Sequence, residues 1–385
     1  MTLDVQIAPD RKQPFRCSDY LNLKPNSDDM TETGTKVLPA SHLRRAIRKA
    51  PQTNLLILSF LLASVVPLVG QSSDKHAAQT GPAVLWSDPG DITSRNLFYG
   101  SGGEKDQPHL PVAFEKEDMK GTSPKFDVRD QDGEKWKVKL GVEARPETVA
   151  TRLVWAVGYF TEEDYFLPQL EVQNLPSQLK RGQQFIKPGG IATNVRIKRH
   201  PKHAEKDVEW HWRHNPFTGT RELNGLRVMM ALINNWDLKD DNNAIYDDKE
   251  DSKQLYMVTD LGASFGAIGY RLGPSRGKGD LGAYKHSKFI SHLHTDYVDF
   301  GTPAHSTVIA LLGGPFTLPN FISRQKLRWI GRHIPRADVK WIGGLLAQLK
   351  PEQIHDAFRA AGYSDKDIQE YSGIVEERIA ELAKL

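Results

Sequence analysis

The chain has 385 residues, 39% of them hydrophobic and 26% charged, which is enough for two lobes or domains and too long for one small domain. Fifty-one basic residues are nearly balanced by 48 acidic ones, leaving a net charge of +3, so the composition carries no general nucleic-acid signature and excludes nucleic acid as an expected partner. The one cysteine, Cys17, excludes a disulfide framework and cysteine-ligated zinc.

Residues 1–54 are polar and read as a disordered N-terminal extension. Arg44, Arg45, Arg48 and Lys49 then precede an uncharged apolar run from Leu55 to Gly70, followed by Gln71, Ser72 and Ser73. Basic flank, apolar run and small polar residues follow the order of a secretory signal peptide. At ~1.5 Å per residue the run spans roughly 24 Å, short for a ~30 Å hydrocarbon core. It is expected to be a cleaved signal or a membrane anchor, with a buried or partner-binding helix as a third reading. The preceding arginines would place the rest of the chain outside the cytoplasm, exported or membrane-anchored. Without a signal at this position the chain would be cytoplasmic.

Residues 71–120, rich in Gly, Pro, Ser and Asp, read as a linker and irregular lead-in. From Lys125 the pattern alternates. Residues 126–129 and 136–140 predict two strands around the Asp132-Gly133 turn. Pro146 opens an amphipathic helix over 147–157 that Gly158 ends. Further strands are predicted over 165–174 and 191–198, a strong helix over 223–234, and two short strands over 243–246 and 254–259 joined by an acidic loop. Helices are predicted over 305–312, 337–349, 351–361 and 365–384. A β-rich half (121–215) is thus followed by an α-rich half (216–385), an α+β organisation.

The stretch Asn235-Trp236-Asp237-Leu238-Lys239-Asp240-Asp241-Asn242 sits between an apolar helix and the short hairpin. Phosphoryl transfer needs a carboxylate to orient the acceptor hydroxyl, and an oxygen ligand for Mg²⁺ close by on the same rigid loop. Asp260-Leu261-Gly262 follows the second strand of the hairpin. Upstream, Lys139 ends an alternating strand, with Lys137 on the same face as the alternative, and Glu147 begins the next helix, with Glu143 as a second pairing candidate.

The D-L-K-x-x-N stretch resembles the protein-kinase catalytic loop, with Trp236 where that loop has arginine. Asp260-Leu261-Gly262 resembles the kinase metal-binding Asp-x-Gly. The N-x-D-x-x-x-x-N form, and the run from Glu147 to Tyr159, resemble the atypical group of HipA-like, phosphatidylinositol and secretory-pathway kinases. The resemblance covers roughly residues 126–266. It implies a two-lobed kinase-like fold, with β-rich N-lobe and α-rich C-lobe, and an ATP- and Mg²⁺-dependent phosphotransferase, Mn²⁺ serving as an alternative ion. Asp237 would position the acceptor hydroxyl of an unidentified protein, lipid or small molecule. Asn242 and Asp260 would hold the metal. Lys139, or Lys137, would grip the phosphates, with Glu147 orienting it. No G-x-G-x-x-G and no A-P-E is present, and Gly121-Thr122-Ser123, ahead of the first predicted strand, is the candidate for a substitute phosphate loop. These departures keep open a secreted or anchored pseudokinase acting as a binding module.

The acidic loop 247–251 reads as a solvated turn, since EF-hand spacing fails. His200-x-x-His203, His211-x-x-His214 and His292-x-His294 have metal-like spacing and carry the third reading, a metal-dependent hydrolase. The basic stretch 196–214 reads as a solvated face that could attract an anion.

Overall fold

The computed structural model describes residues 81–200, 204–206, 208–266, 277–301 and 325–385. The expected extension, the Leu55 to Gly70 run, residues 71–80, Cys17, His203 and the predicted helix 305–312 lie outside the described residues.

Its first half contains β1 (Ala83–Val84), β2 (Val112–Asp118), β3 (Lys125–Arg129), β4 (Lys135–Leu140), α1 (Ala144–Ala156), β5 (Asp164–Gln173), β6 (Ile186–Lys187), β7 (Ile191–Arg199) and β8 (Ala204–Lys206). The second half contains α2 (Arg221–Leu232), β9 (Asn243–Asp248), β10 (Lys253–Val258), α3 (Leu281–His286), β11 (Ile290–Leu293), β12 (Tyr297–Phe300), β13 (Ile334–Pro335), α4 (Arg336–Leu346), α5 (Pro351–Ala360) and α6 (Asp365–Ala383). The result is a mixed α+β architecture in which the elements predicted within the described residues recur with boundaries shifted by a few residues, beside further short strands and a helix that were not predicted.

Strand alternation decides where the charge goes. Strands β4-β3-β2-β5-β7-β6 form one sheet, and a further β4–β7 pairing closes five of them into a ring. Successive side chains of a strand point to opposite faces. One face gives the apolar cluster of Phe126, Val128, Trp136, Val138, Val195 and Ile197. The other therefore carries Asp127, Lys137, Lys139, Arg196 and Lys198, and α1 packs across β5 and β7 on the charged side.

A larger apolar cluster joins the buried faces of α1, α2, α4, α5 and α6 to the β9–β10 hairpin. Thr220 caps α2 by accepting from the Leu223 amide, and Asn234, at φ 52°, turns the chain out of the helix. At the centre of this cluster the Phe358 ring lies 5.4 Å from that of Phe265 and stacks at 5.3 Å on Tyr371.

Three expectations differ. Residues 81–120 are not merely a lead-in: Leu85, Ile92 and Leu97 are buried in the larger cluster, β1 pairs in parallel with β10, and β2 belongs to the ring. Their turn-rich composition hid a few well-spaced apolar anchors. With β2 preceding it, Gly121-Thr122-Ser123 lies in the connection between β2 and β3 instead of ahead of the first strand. The basic stretch 196–214 is not simply a solvated face either. Arg196, Trp210 and Trp212 are buried, and the Trp210 indole donates to the Met257 carbonyl at 3.0 Å beneath the hairpin. Among the described residues no helix is long and apolar enough to cross a membrane.

Because Phe358 is fully buried among aromatic neighbours, Phe358→Ala is expected to cost about 3–5 kcal/mol in urea unfolding. The exposed Met119→Ala should stay within about 0.5 kcal/mol of the parent.

Candidate active site

Three distant segments meet at one ammonium group. Lys139 is the fifth residue of β4, on its charged face. Its Nζ lies 2.8 Å from Glu147 Oε2, 3.1 Å from Glu143 Oε2 and 3.3 Å from Asp260 Oδ1. Glu147 comes from the first turn of α1, Glu143 from the residue before that helix, and Asp260 from the loop after β10. A lysine removed from water is costly unless paired and hydrogen-bonded, and these carboxylates meet that need. Burial alone would push the Lys139 ammonium toward neutrality, but Asp260, Glu147 and Glu143 more than reverse this and keep it charged.

The same pairings tune the acids. Loss of water raises the Asp260 carboxyl, yet the Lys139 ammonium and the Gly262 amide together hold it at about 2. For Glu147 burial dominates the pull of Arg196 and Lys139, and its carboxyl is pushed up to about 7. Glu143 is held below the usual range because Lys139 and Lys278 together overcome its desolvation. Glu143 also touches Lys278, so it does not cap α1 with its side chain. Gly262 supplies the room: a Cβ there would meet the Glu143 Cβ at 2.9 Å and Oε2 at 3.0 Å.

Asp237 and Asn242 sit on the loop between α2 and β9. Asn242 Nδ2 donates to the Asp237 carbonyl at 2.5 Å, leaving Asn242 Oδ1 as an acceptor, and the Lys239 ammonium lies 3.2 Å from Asp237 Oδ1. Asp240 anchors the same loop by accepting from the Trp212 amide at 3.0 Å and meeting His211 Nδ1 at 2.9 Å. Main-chain bonds tie this loop to that of Asp260: Thr259 N to the Asn242 carbonyl at 2.8 Å, and Trp236 N to the Ala263 carbonyl at 3.3 Å.

Of the residues singled out from sequence, Lys139, Glu147 and Asp260 are thus in mutual contact through the lysine, and Asp237 and Asn242 lie on the loop braced against that of Asp260. Lys137 is elsewhere. It pairs with Asp118 at 2.5 Å and Asp127 at 3.0 Å, two residues along the strand. The carboxylate oxygens of Glu143, Glu147 and Asp260 lie within 4.8 Å of one another, the one group among the described residues with metal-ligand spacing, and it contains no histidine. His200 instead approaches Asp127 at 3.8 Å, and His294 lies 3.7 Å from Asp299, stacked on Tyr297.

Sequence reading passed over the shell behind Glu147. Arg196 Nη1 lies 3.2 Å from Glu147 Oε1, its Nε 2.8 Å from Asp164 and its Nη2 3.3 Å from Glu162. Arg152 pairs with Asp164 at 2.5 Å, and Lys198 with Glu162. Arginine and lysine two apart on a strand beside a helix bearing glutamate were the available signal, masked by the generally basic composition of that stretch.

No family model matches the sequence, and no curated protein matches it. Among solved structures, the crystal structure of a Helicobacter pylori proinflammatory kinase, CtkA, superposes with a TM-score of 0.39 at 11% identity, over 72% of this chain and 98% of that one. The Golgi casein kinase gives a TM-score of 0.32 at 10% identity, over 72% and 73% of the two chains. Similarity at this level assigns no function.

Gly262→Ala should force Glu143 aside and cost about 1–3 kcal/mol in chemical denaturation. Asp260 gives a pH test. Its folded value of about 2 lies below its ordinary 3.8, so the stability it lends is full above the ordinary value and is lost as pH falls toward the folded one. The stability difference between the parent and Asp260→Asn is therefore expected to shrink on acidification from pH 5 to about pH 2, followed by urea midpoints.

Proposed function

We propose that this protein is a kinase-like phosphotransferase of two lobes that uses ATP and a divalent metal ion. One observation carries the reading: a buried lysine on a strand meets a glutamate from the following helix and an aspartate from an Asp-x-Gly loop that follows a short hairpin. Cation, orienting acid and metal-binding acid in that arrangement are what phosphoryl transfer from a nucleotide requires. Lys139 would contact the phosphates. Glu147 would hold it in place. Asp237, within reach of Lys239, would orient the acceptor hydroxyl and receive its proton as the new oxygen–phosphorus bond forms and the bond from the γ-phosphorus to the bridging oxygen breaks, releasing ADP. The connection at Gly121-Thr122-Ser123 would cover the phosphates.

The donor set suits a hard divalent cation. Asp260 stays ionised and its side chain is 44% exposed, and Asn242, on the loop bonded through its main chain to the residue before Asp260, offers a neutral amide oxygen. Bound there by Asp260 and Asn242, Mg²⁺ would neutralise charge on the phosphate oxygens.

Charge balance supports a metal requirement. Lys139, Arg152, Arg196, Lys198 and Lys278 form one connected set of ion pairs with Glu143, Glu147, Glu162, Asp164 and Asp260, five formal charges of each sign. Among the described residues this set carries no surplus of formal positive charge, which favours a nucleotide that arrives with its own cation. The acceptor class is open between protein, lipid and small molecule, and export or membrane anchoring through the Leu55 to Gly70 run stays part of this proposal. A histidine-based hydrolase is not favoured, because the one metal-like group among the described residues holds no histidine.

The test is a thermal-shift titration of the full chain with ATP, with and without Mg²⁺. A ligand that binds only the folded form stabilises it by about 2.7 kcal/mol at a concentration 100 times its Kd. A magnesium-dependent rise in Tm is expected, lost in Lys139→Met and Asp260→Ala and kept in Asp237→Asn. No rise with millimolar ATP or GTP would replace this reading with that of a non-catalytic binding module.

A further inference from the structure

We infer that Arg196 is a positioning residue for Lys139, acting through Glu147, which it holds from behind by the carboxylate oxygen that Lys139 does not use. This deepens the phosphotransferase reading and rests on it for its functional consequence, though not for its geometry.

Strand register creates the arrangement. On β4 and β7, Lys139 is paired directly with Arg196. Directly opposed side chains on one face sit about 4.5–5.5 Å apart at Cβ, and like charges there repel. Two buried cations in that position need a shared anion, and Glu147 is that anion. Its Oε2 lies 2.8 Å from Lys139 and its Oε1 3.2 Å from Arg196. A carboxylate held at one oxygen can swing about that contact. Paired with a cation at each oxygen, from two adjacent strands, it is confined between them by ion pairing, without directed hydrogen bonds.

Arg196 is itself fixed. It is 2% exposed, and its other nitrogens reach Asp164 at 2.8 Å and Glu162 at 3.3 Å. Arg152 anchors Asp164, and Lys198 and the Tyr246 hydroxyl anchor Glu162. The planar guanidinium meets three carboxylates at once. It does so from three separate nitrogens in one fixed plane, whereas a lysine at this position would have to draw all three acids onto a single point. Nothing in the arrangement gives Arg196 direct access to a ligand, so its effect on the reaction must pass through Glu147 and Lys139. Simple core ballast would instead lower stability and leave the chemistry of Lys139 as it was.

Arg196→Lys keeps the charge, and Arg196→Gln removes it; the second leaves three carboxylates short of a partner and is the one at risk of not folding. The first readout needs no nucleotide. Competitive acetylation by trace acetic anhydride, read peptide by peptide, should show Lys139 labelled several-fold faster in folded Arg196→Lys than in the parent, with Lys137 unchanged. Unchanged labelling of Lys139 in that folded variant overturns the inference. The second readout is a double-mutant cycle on Mg-ATP affinity. Arg196→Lys should weaken binding about tenfold in the parent and have no further effect in Glu147→Gln, because Arg196 acts through that carboxylate. Equal losses in both backgrounds overturn it. A parent that binds no nucleotide overturns the phosphotransferase reading instead, and the labelling result then still decides whether Arg196 holds Lys139.

Discussion

A single ammonium removed from water organises this molecule. Lys139 is buried on the outer face of a ring of strands, and an isolated charge there would cost far more than the marginal stability of a domain. It is retained because the turn into α1, the first turn of that helix and the loop after β10 each deliver a carboxylate to it. That requirement propagates outward. Helix α1 must dock against β5 and β7 so that Glu147 arrives. Glu143 must give up capping the helix. Position 262 must lack a side chain so that Glu143 can lie against it. The opposing Arg196 must find anions of its own in Glu162 and Asp164.

Such a network is weak evidence for stability. Buried ion pairs often do no better than apolar residues of the same volume, while losing one partner is costly. Ten charged groups holding one another in place are better understood as preorganisation: under the proposed function, the groups that would meet a phosphate are already oriented before it arrives.

Much of this was legible in the chain. Period-2 alternation located β3, β4 and β7, and period-3.6 apolar spacing located α1, α2 and the C-terminal helices, because those signals are set by burial of one face. The order Lys139, Glu147, Asp237, Asn242, Asp260 was also readable, since each residue sits at a fixed place relative to its element. Less legible was anything created by tertiary pairing. Val112–Asp118 alternates poorly, with acids and a lysine in its middle, and only its partners β3 and β5 make it a strand. Residues 81–120 look like punctuation because a few anchors, Leu85, Ile92 and Leu97, bear the packing among many turn formers. Arg196 looked like one more basic residue, since register across two strands 57 positions apart at Lys139 and Arg196 cannot be seen from composition.

The closed ring has a mechanical corollary. Strand β4 is hydrogen-bonded along both edges, to β3 and to β7, so the platform bearing Lys139 has no loose side along which to slip. Helix α1 is bounded differently. Gly141 and Gly158, both at left-handed φ, bracket it like a pair of pivots. A side chain at either glycine would strain its turn and press on Phe185 or on the Ser87 carbonyl, so the seating of the helix that carries Glu147 depends on both.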